Sequence, residues 1–187
     1  PNVRSLGADE LGIGVLAKAA ASHASSAPDA PVVTTTHPRV REIARLASIY
    51  GGVILTGPPG TSKSFFAAAA AALLAGDKSR YSFVQFHASY QYEDFMIGYS
   101  PTLTGFEEKV GPFLKLVDAA TRDPDHTYVL VIDELSRADV GRVFGEALTY
   151  VERSKRELPF LIANGREIKV PSNFIILATM NPFDRGV

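Results

Sequence analysis

The most informative segment of the sequence is Gly57-Pro58-Pro59-Gly60-Thr61-Ser62-Lys63-Ser64. It follows the short apolar run 53–56 and leads into the Ala-rich run Lys63–Ala75. The order predicts a glycine-rich turn between a β-strand and an α-helix. Such a turn directs main-chain N–H groups and the start of the helix toward phosphate. The sequence therefore predicts a phosphate-binding loop at 57–64.

Three residues of the loop have specific expected roles. The Lys63 ammonium would reach the terminal phosphates, and the Ser64 hydroxyl would bind Mg²⁺. Ser62 stands where the usual loop has its last glycine, and its Cβ near the β-phosphate would weaken binding without removing either functional group. The alternative is a Gly/Pro turn that only caps an Ala-rich helix, but the flanking strand and helix favour phosphate binding. The candidate nucleotide-binding residues are Gly57, Pro58, Pro59, Gly60, Thr61, Ser62, Lys63 and Ser64.

A second motif is the apolar run Tyr128–Asp133, which is followed directly by Glu134. It predicts a buried strand that delivers two carboxylates at its carboxyl end, where ligands bind in open α/β sheets. Asp133 would hold the hydration shell of Mg²⁺, and Glu134 would polarise a water for attack on the γ-phosphate. The alternative is a solvated strand end, and the position of the motif downstream of the loop favours the catalytic interpretation.

A third motif lies at the end of the last predicted strand, 174–179, which runs into Asn181. The Asn181 amide would orient the attacking water between Glu134 and the γ-phosphate. The alternative is a turn-forming asparagine before Pro182.

Around these motifs, short β-branched runs alternate with helix-like runs. The strand-like stretches are 53–56, 82–87, Tyr128–Asp133 and 174–179, and the helix-like ones are 40–50, Lys63–Ala75, 111–121 and 137–153. The alternation predicts an α/β fold, with a parallel sheet covered by helices on both faces. It is interrupted by the stretches 158–163 and 166–170, joined by Asn164-Gly165. That dipeptide predicts a β-hairpin inserted just before the last strand.

The first part of the chain has a different composition. Residues 19–38 are mostly Ala, Ser, Thr and Pro, a composition typical of a linker. A short Ala-rich helix over 11–20 precedes it. We therefore expect an N-terminal extension at 1–37 and a folded core at 38–187, with the core beginning near His37.

The composition excludes several classes of protein. Lys and Arg number 19 against 20 Asp and Glu, so there is no overall basic field to hold nucleic acid or an anionic membrane. The chain has no Cys, which excludes disulfides and Cys-based zinc sites and favours a cytoplasmic location. The longest apolar run, 65–75, is too short to span a membrane. The start at Pro1, without a signal-peptide pattern, indicates an excised segment.

Aromatic residues are concentrated after the second predicted strand. They are Phe83, Phe86, Tyr90, Tyr92, Phe95 and Tyr99. Aromatic clusters can stack nucleic-acid bases, but 81–108 contains no Lys or Arg and four acids. Because that charge repels a phosphate backbone, we expect core packing and subunit contact instead. The Ala run 67–72 is expected to pack tightly on the sheet.

Together, the loop, the acidic strand end and Asn181 resemble a P-loop NTPase core of the AAA+ type. The inserted hairpin resembles the branch that includes the MoxR-type, dynein-related and McrB-type ATPases. Met180-Asn181-Pro182-Phe183-Asp184-Arg185 is similar to the Met-Asn-x-x-Asp-Arg signature of the McrB-type motor of modification-dependent restriction systems. Asp133-Glu134-Leu135-Ser136-Arg137-Ala138 resembles the acidic motif of that motor, and 84–95 resembles the stretch after its second strand.

The McrB-like resemblance implies a homo-oligomeric ring, usually a hexamer, that binds Mg²⁺ and either ATP or GTP at each subunit boundary. It also implies a nuclease subunit as partner, with DNA engaged through that partner or through other domains. Arg185 would contact the nucleotide of a neighbouring subunit, and Arg137 is a second candidate for that role. For each arginine the alternative is a surface ion pair.

Other functions remain open at this stage. Ser62 and the segment Gly111-Pro112-Phe113 resemble MoxR-type chaperone ATPases, which remodel protein complexes. A nucleotide-dependent assembly module with little turnover is a further alternative. We also expect an incomplete motor, because the sequence ends at Val187, before the helical lid that such ATPases carry.

Overall fold

In a computed structural model of the chain, residues 34–182 are described. The predicted helix at 11–20, most of the predicted linker and Arg185 lie outside this range. In chain order, the elements are α1 (Pro38–Tyr50), β1 (Gly52–Thr56), α2 (Lys63–Ala75), β2 (Tyr81–Gln85), α3 (Tyr92–Phe95), β3 (Ile97–Thr102), β4 (Gly105–Val110), α4 (Pro112–Arg122), β5 (Tyr128–Asp133), α5 (Val140–Phe144), α6 (Ala147–Tyr150), β6 (Phe160–Leu161), β7 (Glu167–Ile168) and β8 (Phe174–Met180).

Four of these strands form a parallel sheet in the order β1-β8-β5-β2. The strand that is last in sequence thus lies between the first strand and the acidic strand. Since all four strands run the same way, the carboxyl ends of β1, β8 and β5 meet at one edge of the sheet. This arrangement confirms the predicted α/β fold and places the three sequence motifs beside one another.

Helices cover both faces of the sheet, as predicted. On one face, α1 and α2 pack on inward-pointing residues of β5 and β8. The predicted Ala packing is confirmed, because α2 approaches the sheet through buried alanines. The buried residues of α2 are Ala67, Ala69, Ala70, Ala71 and Ala75. Small side chains at these positions let the helix backbone lie close to the strands.

The opposite face carries a larger aromatic core. Phe86 and Phe95 are buried there, with ring centroids 5.6 Å apart, and Phe95 lies 4.7 Å from the Phe144 ring. Burial, with Asp94 nearby, raises the pKa of Tyr90 to about 12. The core-packing interpretation of the aromatic cluster is therefore confirmed for Phe86 and Phe95. Tyr99 is exposed and lies outside this core, so for that residue the expected subunit contact stays a prediction.

Two β-hairpins are added to this framework. The predicted one is present as β6 and β7, and Gly165 takes the left-handed φ of +80° at its turn. The second, β3–β4, pairs Ile97 with Val110 and reaches its turn after Thr102. It lies between α3 and α4 and was not predicted, because its sequence lacks a strong turn dipeptide.

The predicted helix over 137–153 is wrong in detail. The structure instead has a 3₁₀ turn at Leu135–Arg137, followed by the short helices α5 and α6. The division between the two helices falls at Gly145, with φ +52° and ψ −130°. A Cβ at Gly145 would lie 2.7 Å from the Tyr92 ring, so close packing against α3 replaces a continuous helix.

Arg156 joins the ends of three elements. Its guanidinium donates to the carbonyls of Val151, Gly51 and Phe174, which end α6 and α1 and begin β8. Burial, and then the nearby Arg153, lowers the pKa of Arg156. The residue therefore adds side-chain donors to carbonyls at the ends of these elements, of which that of Gly51 also accepts from the Ile176 N–H at 3.3 Å.

Arg156→Ala is expected to destabilise the fold by about 2 kcal/mol, because three carbonyls lose the guanidinium donors. The measurement is the free energy of unfolding from urea denaturation. Arg41→Ala, at an exposed position of α1, is the matched control and is expected to change stability by less than about 0.5 kcal/mol. Equal effects of the two variants would contradict this role of Arg156.

Among residues 34–182, no helix is both long enough and apolar enough to span a membrane.

Candidate nucleotide-binding site

The glycine-rich loop leaves β1 and enters α2, as the sequence predicts. Gly60 has a left-handed φ of +77°, which glycine adopts without steric cost. The Thr61 hydroxyl donates to the Pro58 carbonyl at 2.8 Å and closes the turn. The Gly57 N–H points to the carbonyl of Met180 at 3.4 Å, which joins the loop to the end of β8.

Ser62 is the strained position of the loop. It has φ +60° and ψ +23° immediately before α2 begins, a left-handed conformation that costs a non-glycine residue about 1 kcal/mol. Its side chain makes no capping hydrogen bond to the helix. The departure from glycine noted in the sequence therefore has a conformational cost.

Lys63 lies across the loop that precedes it. Its Nζ donates to the carbonyl oxygens of Gly57 and Pro58, both at 2.8 Å. The ammonium is thereby held beside the start of α2, where the helix dipole also favours anions. The loop and its lysine form a positive site at the carboxyl edge of β1.

Asp133 is the hub that connects the three motifs. It is buried, and its Oδ1 accepts hydrogen bonds from Ser64 Oγ at 2.6 Å and Thr179 Oγ1 at 2.5 Å. Ser64 comes from the loop and Thr179 from β8, far apart in sequence. The loop, the acidic strand and the last strand are thus tied together by one carboxylate.

Glu134 leaves the sheet with a left-handed φ of +56°. Its N–H donates to Thr179 Oγ1 at 3.2 Å. Its Oε2 is shielded from solvent and lies 3.4 Å from Arg137 Nε, a charge contact that is not aligned as a hydrogen bond. The two adjacent carboxylates therefore have different partners: Asp133 contacts two hydroxyls, and Glu134 contacts the Arg137 cation.

Asn181 is buried beside this cluster, and its main-chain carbonyl accepts a weak hydrogen bond from Ser136 Oγ at 3.4 Å. The structure thus brings the loop, Asp133, Glu134 and Asn181 to one edge of the sheet. Arg137 pairs with Glu134 of its own chain, which matches the ion-pair alternative. Arg185 lies outside the described residues.

A cavity of about 300 Å³ adjoins the loop. Arg39 and Ile43 of α1 line one side of it, and Phe66 of α2 lines another. The His37 ring meets Phe66 edge-on at 5.2 Å, and the Arg39 guanidinium lies 5.8 Å from the Phe66 ring centre. Sequence reasoning missed this cavity, because its walls come from two helices that only the fold brings together.

Sequence reasoning also gave no role to Thr179. Its hydroxyl orients Asp133 and the Glu134 N–H at once. The available signal was a single hydroxyl residue in an otherwise apolar strand, directly before the Met180-Asn181 pair.

The donor set fits a magnesium ion. Mg²⁺ prefers oxygen ligands and is usually held by one or two carboxylates together with waters and substrate phosphates. Asp133 offers a carboxylate and Ser64 a hydroxyl, already within 2.6 Å of each other. Both side chains lie at the foot of the loop that would hold the phosphates.

Residues 52–187 match the family model of the AAA domain, dynein-related subfamily. The chain belongs to this AAA family. The match begins at β1 and includes the loop, the acidic strand end and β8. It confirms the AAA+ membership and the dynein-related branch that the motifs indicated.

Two curated relatives align with most of this chain. The EcoKMcrB subunit of the type IV methyl-directed restriction enzyme of Escherichia coli K12 is 38% identical over 156 residues, 79% of this chain and 34% of the relative. The YdiS component of the type II restriction enzyme BsuMI of Bacillus subtilis 168 is 29% identical over 184 residues, 76% of this chain and 54% of the relative. The McrB-like resemblance is confirmed, and the chain spans about a third to a half of these relatives.

A solved structure from Cytophaga hutchinsonii, assigned as an ATPase, aligns with a TM-score of 0.48 at 19% identity. The alignment covers 78% of this chain and 38% of the solved one. The similarity is too low to add to the assignment.

Proposed function

We propose that residues 38–187 are the nucleotide-hydrolysing core of an AAA+ motor and that 1–37 are an extension of it. The observation that carries the proposal is the contact between Ser64 and Asp133 at 2.6 Å. This contact supports the inference that the phosphate-binding loop and the acidic strand end form one site. The substrate is a nucleoside triphosphate, ATP or GTP.

In this proposal the loop 57–64 binds the triphosphate with main-chain N–H groups and the start of α2. Lys63 moves its donors from the carbonyls of Gly57 and Pro58 to the terminal phosphates. The cavity of about 300 Å³ beside the loop supplies room for the nucleoside.

Ser64 and Asp133 hold the magnesium ion, with Thr179 fixing the carboxylate of Asp133. When bound, the metal neutralises phosphate charge. Ser64 and Asp133 thus bind and orient at this site, and neither needs to gain or lose a proton.

Glu134 acts as the base that orients a water and accepts its proton. Arg137 holds the carboxylate of Glu134 in place. The hydrogen bond from the Glu134 N–H to the Thr179 hydroxyl fixes the main chain from which that side chain extends. Asn181 positions the water on the side of β8.

The chain works as part of a cytoplasmic ring, in which Arg185, and in some states Arg137, contacts the nucleotide of a neighbour. An arginine supplied in trans is worth about 10³ to 10⁵ in rate, so an isolated copy hydrolyses slowly.

The restriction-enzyme relatives support a nuclease subunit as partner, with DNA engaged through that subunit. We therefore infer a restriction complex, with a hexamer as its motor.

One observation favours a second candidate, a nucleotide-dependent assembly module with little turnover. The left-handed Ser62 places a Cβ in the phosphate-binding loop, where glycine is usual. A MoxR-type chaperone has no separate structural support in residues 34–182.

Ser62→Gly is expected to raise nucleotide affinity by about threefold, because it removes the Cβ that would lie near the β-phosphate. Ser62→Ala is the matched control: it keeps the Cβ and the strain, so no gain is expected. Titration calorimetry measures both. An affinity for Ser62→Gly no higher than that for Ser62→Ala would contradict the expected crowding by the Cβ.

The experiment that tests the proposal pairs calorimetry with phosphate release, on the full-length protein with Mg²⁺ and either ATP or GTP. A motor binds at least one nucleotide and releases phosphate, faster at concentrations where the ring assembles. Tight binding with no release would favour the assembly module. No binding of either nucleotide would overturn both.

A further inference from the structure

At the carboxyl edge of the parallel sheet, a row of polar side chains crosses three adjacent strands. Gln85, the last residue of β2, lies directly beside Asp133 of β5 in the strand register. On the other side of Asp133, Thr179 of β8 donates to its Oδ1 at 2.5 Å. The row therefore places an amide, a carboxylate and a hydroxyl next to one another, and the amide has no role in the site described above.

The side chain of Gln85 lies on the same face of the sheet as that of Asp133. Along β2, Phe86 is buried in the aromatic core, while Phe83 packs with α1 and α2 on the opposite face. Because side chains alternate along a strand, Gln85 shares the face of Phe83. On β5, Val131 packs on that same face, and Asp133 follows it by two residues. Gln85 and Asp133 are therefore neighbours on the face that carries α2.

This face also carries the pair of side chains proposed to hold Mg²⁺. Ser64, in the first turn of α2, donates to Asp133 Oδ1 at 2.6 Å. Neighbouring strands lie about 4.8 Å apart, a distance that a glutamine side chain can cover. Gln85 is therefore within reach of the proposed metal position from the β2 side.

One oxygen of Asp133 has hydrogen-bonding capacity left. The hydrogen bonds that residues 34–182 make to this carboxylate, from Ser64 and Thr179, both end on Oδ1. Oδ2 accepts none from the same part of the chain. Since an ionised carboxylate can accept at about four positions, Oδ2 has room for a donor that approaches from β2.

The two glutamines of the chain differ in what their side chains do. Gln91 lies at the start of α3, and its Oε1 accepts from Arg142 at 3.4 Å. Gln85 is exposed, and its amide makes no hydrogen bond within residues 34–182. A structural contact is thus present for Gln91 but not for Gln85. Because an amide can donate and accept at the same time, Gln85 can bond to Asp133 and to a water together.

We propose that Gln85 is a positioning residue of the magnesium site. Its amide N–H donates to Asp133 Oδ2, and its amide oxygen accepts from a water that belongs to the hydration shell of the metal. Partners of this kind orient the metal ligands, and their loss typically lowers metal affinity by about 10- to 100-fold. The inference rests on the proposed function, since it concerns the metal that accompanies the nucleotide.

The test measures how much Mg²⁺ strengthens nucleotide binding. Titration calorimetry on the full-length protein gives the affinity for a non-hydrolysable analogue of ATP or GTP, once with Mg²⁺ and once in EDTA. The ratio of the two affinities is the magnesium gain. Gln85→Leu keeps the size of the side chain but removes the amide, so its magnesium gain is expected to fall by about tenfold. Its affinity in EDTA should stay within about twofold of wild type.

Three further variants make the result specific. Gln85→Ala, which adds no apolar surface, should behave as Gln85→Leu does. Gln85→Glu keeps an oxygen acceptor for the water and adds a charge that attracts the metal, so its magnesium gain should stay within about threefold of wild type. Gln91→Leu is the matched control, the same substitution at the other glutamine, and its magnesium gain should stay within about twofold of wild type.

The outcomes separate this inference from the proposed function. A wild-type magnesium gain in both Gln85→Leu and Gln85→Ala would overturn the role of Gln85 and leave the proposed function standing. An equal loss of affinity with Mg²⁺ and in EDTA would also overturn it, because the residue would then act on the nucleotide or on the fold. A magnesium gain that falls as far in Gln91→Leu would do the same. A wild type that binds neither analogue would overturn the proposed function and this inference together.

Discussion

Glu134→Gln is expected to abolish nucleotide turnover while Mg-nucleotide binding stays within about threefold of wild type. The amide has nearly the shape of the carboxylate, but it cannot accept a proton from the attacking water. Loss of a general base lowers rates by about 10² to 10⁴. The main-chain N–H of residue 134 keeps its bond to Thr179, so the site itself should persist.

The measurement for Glu134→Gln is steady-state phosphate release, with calorimetry for binding. Glu167→Gln is the control, since Glu167 is an exposed residue of β7, and it is expected to turn over at the wild-type rate. Unchanged turnover by Glu134→Gln would refute the assignment of Glu134 as the base. Loss of binding as well would indicate a structural role instead.

Lys63→Ala is expected to weaken nucleotide binding by about 100-fold. A charge-assisted hydrogen bond contributes about 1.5–3 kcal/mol, and Lys63 is the one charged side chain within the loop 57–64. Its present acceptors, the carbonyls of Gly57 and Pro58, belong to a solvent-accessible loop and can bond to water after the change.

Calorimetry with the preferred nucleotide measures the effect of Lys63→Ala. Lys78→Ala, on the exposed turn Lys78–Arg80, is the matched control and should bind as wild type does. The urea midpoint of Lys63→Ala shows whether the fold survives. Affinity within about threefold of wild type, with the fold intact, would mean that the loop does not bind phosphate through its lysine.

Much of this site could be predicted from the sequence because its signals are local. The loop combines glycines that permit unusual backbone angles with a lysine and a serine at the start of a helix. The strand Tyr128–Asp133 is apolar along its whole length, as a central parallel strand must be. Parallel strands then bring their carboxyl ends together, so three separate motifs could be placed in one site.

The parts that escaped prediction depend on contacts between distant segments. The helix expected over 137–153 is divided at Gly145 by its packing against Tyr92. The role of Thr179 depends on the register that sets β8 beside β5. The β3–β4 hairpin contains Gly98 and Pro101, which weaken a strand signal, and its pairing became visible only in the fold.

The ion pair between Glu134 and Arg137 illustrates a different limit. The sequence offered Arg137 either as a contact to a neighbouring nucleotide or as a surface ion pair. Within one chain the ion pair is present, with Arg137 Nε 3.4 Å from Glu134 Oε2. In the proposed ring, the arginine that acts across a subunit boundary would depend on how the copies assemble.

The most direct test of the account is a crystal structure of the protein with Mg²⁺ and a non-hydrolysable analogue of its preferred nucleotide. We expect the triphosphate inside the loop 57–64, with Lys63 on its terminal phosphates and the metal beside Ser64 and Asp133. A nucleotide bound elsewhere on the molecule, with Lys63 still bonded to the carbonyls of Gly57 and Pro58, would contradict it.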